Sequence, residues 1–476
     1  KVKCEIVMYP AALMDFFKIE GDTTLLIKGD PGVGKTIFSL QILSKLKDEL
    51  TGVYFSTRSV IRAIVKQLPW IKDVLSKNQL VDAVKPAVMS KDHGDIIEWT
   101  TLPQFLRSLY YRLKELQKEG KKVIVVVDSV DAITNALELS IEKVINPINQ
   151  VLYNMGAKGI YITERSGITL LDYLCDGVVL LKKELHHDRI VRKIYLEKLR
   201  GVEIKKPFYT FTVHSGRFKA FARFYKIPVK ISKQHPFISD NKDTHFAENK
   251  MFSTGSTQLD KILYGYAYGS TILVKFEEII PTDAYSIFIG PLTENFLSQD
   301  RLVIYMPSKN TPSLDVALGF AELIGDKVKN NLKIISLAEK ISQENITSTN
   351  VPHISKWFIG NLIEQVKMYV SQKERFLLVI DVDHLMAFYE NSAEILKAIT
   401  ILAKLVKESQ NLMIVKTFSS LEIINKKIAA LSDYYFEVFS IGNQLFMYGV
   451  KPYTPIYNIS LEVVNEHPTT VYKVMS

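Results

Sequence analysis

Short β-rich runs alternate with helical stretches through the first half of the chain. Thr24–Lys28 reads as a strand, followed by a glycine turn and an apolar-periodic helix from Lys35. Val53–Phe55 reads as a second strand, Leu102–Gln117 as a helix, and Lys122–Val127 as an almost unbroken β-branched strand. A further helix spans Ile141–Tyr153, with strands at Gly159–Thr163 and Gly177–Leu181. Such alternation predicts a parallel, doubly wound sheet, and continuous apolar runs like Val123–Val127 belong to strands buried on both faces. Past Leu181 the pattern changes. Lys182–Arg192 is charged and flanked by strands, which predicts a β-hairpin, and residues 193–199 and 207–213 read as further strands.

The second half repeats this plan. Thr271–Val274 and Leu302–Tyr305 read as strands, and Phe376–Asp381 mirrors Val123–Asp128: an apolar run ending in Asp, with a second acid close behind (Asp383, Asp131). Leu431–Tyr435 resembles Leu174–Val178, each leading into a late strand. A chain of 476 residues is too long for one core. The pattern predicts a tandem duplication of one α/β unit: a domain over 1–225, a weakly periodic linker rich in Pro, Lys and Asp over 226–250, and a second domain over 251–476.

Composition narrows the setting. The chain is 47% hydrophobic and 23% charged, and no apolar run reaches the roughly 18 residues of a membrane span. Glu5 and Asp15 interrupt any cleavable signal pattern. Two cysteines, Cys4 and Cys175, fit neither a disulfide framework nor a zinc site. A cytoplasmic, reducing location is the expectation. The net charge of +9 is uneven: residues 1–240 hold 38 Lys and Arg against 26 Asp and Glu, and the remainder 22 against 25. A basic first half suits an acidic partner, nucleic acid or protein, as well as it suits solvated surface plus phosphate ligands.

The chemistry concentrates at Gly29-Asp30-Pro31-Gly32-Val33-Gly34-Lys35-Thr36, a full match to G-x-x-x-x-G-K-[ST] between a strand and a helix. Glycines let the backbone turn tightly and aim its N–H groups at phosphate oxygens, and the helix that follows, with Ile37 in its first turn, points its positive end at the same place. Lys35 is then the residue for the β- and γ-phosphates, and Thr36 the hydroxyl ligand of Mg²⁺. Asp128, at the end of its strand, is the expected second metal-side acid, although an Asp there also caps turns. Ser129 and Asp131 either assist through water or form the turn. ATP is the expected nucleotide, because the guanine-reading Asn-Lys-x-Asp is absent.

These residues resemble the KaiC/RadA branch of the RecA-like ATPases, the members with two fused domains. The resemblance rests on the P-loop, Asp128-Ser129, Thr163-Glu164-Arg165, Leu171–Leu180 and Lys198-Leu199-Arg200-Gly201. It implies tandem RecA-like P-loop domains, each a mostly parallel twisted sheet flanked by helices. It also implies MgATP at a subunit interface in a ring or dimer, with Lys198 and Arg200 reaching the neighbour's nucleotide as charge stabilisers. A cationic strand edge is the plainer account of that pair. In the second half, Ser253–Asp260, Leu263, Gly265 and Gly269–Thr271 look like the start of such a domain, but Lys275-Phe276-Glu277-Glu278 stands where its P-loop belongs, and no Gly-Lys pair follows residue 250. The second domain is therefore expected to be degenerate, with Asp381 a relic.

A further departure concerns catalysis. The family carries paired glutamates after its second strand, where this chain has Ser56-Thr57-Arg58-Ser59. A water-orienting carboxylate is normally worth about 10²–10⁴ in rate, so slow hydrolysis is expected unless Glu164 or Asp131 substitutes; Glu164 is the candidate, and pairing with Arg58 or Arg165 is its alternative fate. The Ser-Thr-Arg form is similar to an archaeal subgroup that includes regulators similar to the gas-vesicle repressor GvpD, which implies regulation more than motor work, with a regulatory protein as a possible partner. Two other functions compete with a slow ATPase: a nucleotide-gated binding module without turnover, and a mediator ATPase acting on DNA, for which no recognised DNA-binding module is present. Arg217–Lys226 has the composition of a base-stacking platform, but an amphipathic final strand explains it equally well. His186-His187 cannot face one metal from a strand. Tyr434, Tyr435, Phe436, Phe446 and Tyr448 read as core.

Overall fold

The computed structural model describes residues 9–83, 95–96, 100–118, 120, 122–221, 237–240, 250–281, 283–309, 311–335, 351–372, 375–387, 389, 391–464 and 467–475. Two compact units share the chain, one within Glu5–Ala222 and the other within Arg223–Val474. Most of the expected linker, 226–236 and 241–249, lies outside the described residues, as do Cys4 and residues 222–226 of the basic–aromatic run.

The first unit is built on strands β1 (Thr24–Lys28), β2 (Leu50–Ser56), β3 (Leu80–Asp82), β4 (Asp95–Ile96), β5 (Lys122–Asp128), β6 (Lys158–Thr163), β7 (Gly177–His186), β8 (Arg189–Leu199), β9 (Phe208–Thr212) and β10 (Lys219–Ala220). They form one sheet in the order β10-β9-β8-β7-β1-β6-β5-β2-β3-β4. From β7 to β4 the neighbours are parallel, and β8, β9 and β10 add antiparallel strands. The alternation of side chains splits β5 between two cores: Ile124 and Val126 join one layer, Val123, Val125 and Val127 the other. The helix Lys35–Leu46 supplies Phe38, Ile42 and Leu43 to the first layer. Helices Leu102–Gln117 and Ile141–Asn154 cover the second through Phe105, Leu109, Leu113, Val144 and Ile148. Each such buried side chain stabilises the unit by roughly 1.5–3 kcal/mol, which explains why β5, apolar throughout Val123–Val127, lies inside the sheet rather than at an edge.

The charged hairpin expected over Lys182–Arg192 forms between β7 and β8. Its turn residues His187 (φ 45°) and Asp188 (φ 62°) are both left-handed, as a two-residue hairpin loop requires. The described part of the basic–aromatic run is structural: Phe218 and Phe221 are buried, and Arg217 lies over the Trp70 ring. The edge strands β3 and β4 follow no pattern legible in the sequence. Among the described residues, no helix is long and apolar enough to cross a membrane, and no group of three or more His, Cys, Asp or Glu could hold a metal ion.

The second unit carries β11 (Met251–Phe252) paired with β12 (Tyr266–Ala267), and a nine-stranded sheet. Its strands are β13 (Thr271–Phe276), β14 (Leu302–Tyr305), β15 (Leu332–Ile334), β16 (Phe376–Asp381), β17 (Leu412–Phe418), β18 (Tyr434–Ile441), β19 (Gln444–Lys451), β20 (Tyr457–Val464) and β21 (His467–Val474), in the order β15-β14-β16-β17-β13-β18-β19-β20-β21. The run β3-β2-β5-β6-β1-β7 thus recurs as β15-β14-β16-β17-β13-β18, all parallel. The two sheets are a tandem α/β arrangement of the RecA type. The equivalence extends to single contacts. Thr24 N–H donates to Asp176 at the foot of β1 (3.1 Å), and Thr271 N–H donates to Asp433 at the foot of β13 (2.9 Å). Phe436, Phe446 and Tyr448 are core, and Tyr434 and Tyr435 are half-buried.

The acids at the two central strand tips have different surroundings. Asp381 is paired across the sheet with Lys416, and Lys416 Nζ lies 2.7 Å from Asp381 Oδ2; both side chains are buried. At the matching position β6 has Ile162, opposite Asp128. Lys416 also donates to Ser308 Oγ (2.5 Å) and sits 3.8 Å from the Tyr285 ring centroid. Burial lowers the proton affinity of Lys416, and Asp381 opposes that shift. Asp381 Oδ1 accepts the N–H groups of Asp383 and His384, capping the helix Val382–Met386. Glu277 and Glu278, where a P-loop would lie, accept the backbone N–H groups of Ser440 and Ser420. Beneath the first unit's glycine turn, the buried Lys28 forms ion pairs with Asp172 (2.5 Å) and Glu197 (2.8 Å).

Two stability predictions arise from these pairs. Asp381→Ala strands a buried ammonium and is expected to cost about 3–5 kcal/mol in denaturant unfolding, whereas Asp381→Asn with Lys416→Met keeps cap and packing and should cost far less. Equal losses would show that the pair is not what holds this region. For Asp172, burial works to raise the carboxyl pKa, but Lys28 and Thr169 outweigh it and hold it below its ordinary value. Its contribution is therefore complete above about pH 4 and lost as the pH falls through the depressed native value. Urea titrations of wild type and Asp172→Asn should show a stability gap at pH 7 that closes in acid; a gap unchanged at pH 3 would contradict this.

Candidate functional site

The glycine turn runs from the end of β1 into the helix Lys35–Leu46. Gly29 (φ 150°), Gly32 (φ 73°) and Gly34 (φ 110°) all have a positive φ that favours glycine, and Gly29 and Gly34 also lack room for a side chain. A Cβ on Gly29 would stand 2.3 Å from the Leu181 carbonyl oxygen on β7, and one on Gly34 would stand 2.9 Å from the Val213 side chain. Val33 is fully buried in the core and anchors the turn, whereas Asp30, Pro31 and Gly32 are exposed. Ile37 is half-buried in the first turn of the helix and packs against the same core as Val33. The loop is thus fixed at its ends and open at its tip.

Lys35 Nζ folds back into this loop and donates to the carbonyls of Gly29 (2.5 Å) and Asp30 (2.9 Å). Burial lowers its pKa; Asp128 works against that shift and Arg58 adds to it. Thr36 Oγ1 donates to Asp128 Oδ2 (2.6 Å), which joins the loop to the tip of β5. The same oxygen accepts the hydroxyl of Tyr54 (2.5 Å), a fully buried residue of β2. Burial, reinforced by Asp128, raises the Tyr54 pKa well above its ordinary value, so this phenol remains a proton donor. A hydroxyl and a carboxylate at the mouth of a glycine loop are oxygen ligands of the kind Mg²⁺ takes, and the loop fits a polyphosphate.

The remaining expected residues divide. Ser129 is buried, and its carbonyl accepts the Thr57 hydroxyl (2.7 Å). Asp131 serves the turn: Oδ2 accepts Thr163 Oγ1 and the Glu164 N–H, both at 2.8 Å, and Oδ1 forms an ion pair with Arg165 (3.2 Å). The Glu164 carboxylate forms an ion pair with Arg58. Lys198 Nζ donates to the carbonyls of Asp172 (3.0 Å) and Cys175 (2.6 Å) within its own unit. Arg200 pairs with Asp176 (2.9 Å) and stays largely exposed. The buried Cys175 thiol is pushed up to about 12 by burial and then by Asp176, which keeps it protonated.

Three residues at the loop escape sequence reasoning. Tyr54 is one. Arg192, on β8, donates to the carbonyls of Gly32 (3.2 Å) and Val33 (3.1 Å). Lys183, on β7, brings its Nζ to 3.9 Å from where a Gly32 Cβ would stand. The signal was present in the charge of the hairpin, but only the β1–β7 pairing shows that it lies over the loop.

Residues 13–197 match the family model described as the P-loop domain of the GvpD gas vesicle protein. GvpD1 of Halobacterium salinarum is 28% identical over 320 residues, which cover 65% of this chain and 58% of that protein. GvpD2 of the same organism is 29% identical over 314 residues, 64% and 62% of the two chains. The chain therefore spans less than two thirds of either GvpD protein. The circadian clock oscillator protein KaiC of Thermosynechococcus vestitus is 26% identical over 212 residues, 41% of this chain and 40% of KaiC. With a GvpD-type P-loop domain over residues 13–197 and a repeated RecA-type sheet, the chain is similar to the KaiC/RadA-like branch of the RecA-superfamily P-loop ATPases.

Proposed function

We propose that the first unit binds MgATP and acts as a slow, nucleotide-controlled regulator, with the second unit as a scaffold that holds no nucleotide. The observation that carries this reading is the convergence of Lys35, Thr36 and Asp128 at one loop. In this account the Gly29–Thr36 backbone N–H groups cradle the phosphates, and Lys35 exchanges its two carbonyl partners for phosphate oxygens. Thr36 and Asp128 would hold the Mg²⁺, which would neutralise phosphate charge, and the Tyr54 hydroxyl keeps Asp128 oriented. Arg200 is free of the protein interior and is the residue available to a neighbouring subunit's nucleotide; Lys198, held on two carbonyls, fixes the strand end that presents it. Binding at a subunit interface in a homo-oligomer, and control of a protein partner, follow the resemblance to KaiC and GvpD.

Regulation without turnover is the second reading, and one observation favours it. The turn after β2 presents Arg58 in place of a carboxylate, and Glu164, the remaining candidate, is tied to that same Arg58. Steady-state phosphate release from MgATP separates the two. Slow release that disappears in both Lys35→Ala and Asp128→Asn is expected; release unchanged in either variant would remove this loop from the chemistry. No release by wild type, with MgATP still bound, would leave the switch reading alone.

A further inference from the structure

The turn that replaces the family's glutamates is held in place with unusual thoroughness. Ser56 closes β2 beside Asp128 in the parallel register. Thr57 N–H donates to the Asp128 carbonyl (2.8 Å), and Thr57 Oγ1 donates to the Ser129 carbonyl (2.7 Å). The Ser56 hydroxyl donates to the Ser59 carbonyl, and the Ile61 N–H donates to Asp82 Oδ2 (3.1 Å) on the far side. Three of these hydrogen bonds tie the segment around Arg58 to the tips of β5 and β3, and the Ser56–Ser59 bond closes the turn on itself. The Arg58 side chain, by contrast, is about half exposed and rests on Glu164.

The geometry is that of a bridge. β2 and β6 flank β5 in the sheet, so the Arg58–Glu164 pair spans the tip that carries Asp128. The charge of Arg58 also disfavours protonation of Lys35. β1, β2, β5 and β6 run parallel, so this guanidinium stands at the same edge of the sheet as the Gly29–Thr36 loop, which Thr36 joins to Asp128; on the nucleotide-binding reading a γ-phosphate would approach this edge. Two anions then compete for it: the Glu164 carboxylate, and a phosphate group that offers more charge and the same bidentate geometry.

We propose that Arg58 is the γ-phosphate sensor of this site, leaving Glu164 when a nucleoside triphosphate binds and returning to it with a diphosphate. Glu164 is fixed through its backbone to Asp131, and Asp131 also holds Thr163 and Arg165. Release of Arg58 therefore alters the charge on the segment that follows β6 and leaves its backbone in place. This exchange rests on the nucleotide-binding reading above and adds to it the discrimination of triphosphate from diphosphate by a residue of the same chain.

The test is equilibrium titration of the full chain with the Mg²⁺ complexes of a non-hydrolysable ATP analogue and of ADP. Wild type, Arg58→Ala, Arg58→Lys and Glu164→Gln are compared. Arg58→Ala should lower affinity for the triphosphate by about tenfold or more, the scale of one charge-assisted contact, and leave ADP within about twofold. Arg58→Lys should recover part of the preference, and Glu164→Gln, which removes the competitor, should strengthen triphosphate binding. Equal losses for both nucleotides in Arg58→Ala, or no loss for either, would overturn the sensor role while nucleotide binding stands. Binding of neither nucleotide by wild type would instead remove the underlying site and the sensor with it.

Discussion

A carboxylate at the tip of the central strand must find a partner, and how it does so decides what each half of this molecule can be. Burying an ionised acid without compensation is prohibitive. In the first unit Asp128 is satisfied by two hydroxyl donors, Thr36 and Tyr54. Neither donor carries a charge, and the cation that acts on Asp128, Lys35, has its Nζ on loop carbonyls and not on the carboxylate. In the second unit Asp381 is neutralised by Lys416 from the adjacent strand. The ammonium fills the role that a metal or a P-loop lysine would have, and the strand tip becomes part of the core.

The rest of the second unit is consistent with that exchange. Once Asp381 has an internal counterion, a glycine loop is not needed opposite it. The segment after β13 instead carries Glu277 and Glu278, which bind backbone N–H groups of neighbouring strands. The scaffold is otherwise kept, down to the Asp that receives the first N–H of the first parallel strand in each unit. The two units differ at the loop and the strand tip, and not in the order of their parallel strands.

What the sequence reveals follows the range of the interactions. The P-loop is legible because its parts are neighbours in the chain: three glycines, Lys35 and Thr36 act within one turn. Asp128 is legible because a strand of β-branched residues announces its own end. The repeat is legible in the recurrence of that strand as Phe376–Asp381. Tyr54, Arg192 and Lys183 are not, because each reaches the site through strand order: β2 beside β5, and the β7–β8 hairpin beside β1. The fate of Glu164 was open for the same reason, since pairing with Arg58 depends on β2 and β6 flanking β5. Lys198 is a separate case. A motif named it as a group for a neighbouring subunit, and its own fold gives it two carbonyls to hold.

The central claim is an asymmetry: one strand tip open to a cation and nucleotide, the other closed by its own lysine. The most direct measurement is the stoichiometry of MgATP binding to the full chain by calorimetry, repeated with Lys35→Ala. The account predicts one nucleotide per chain, lost in the variant. Two per chain, or one that survives Lys35→Ala, would mean that the second unit binds nucleotide and that Lys416 does not close it.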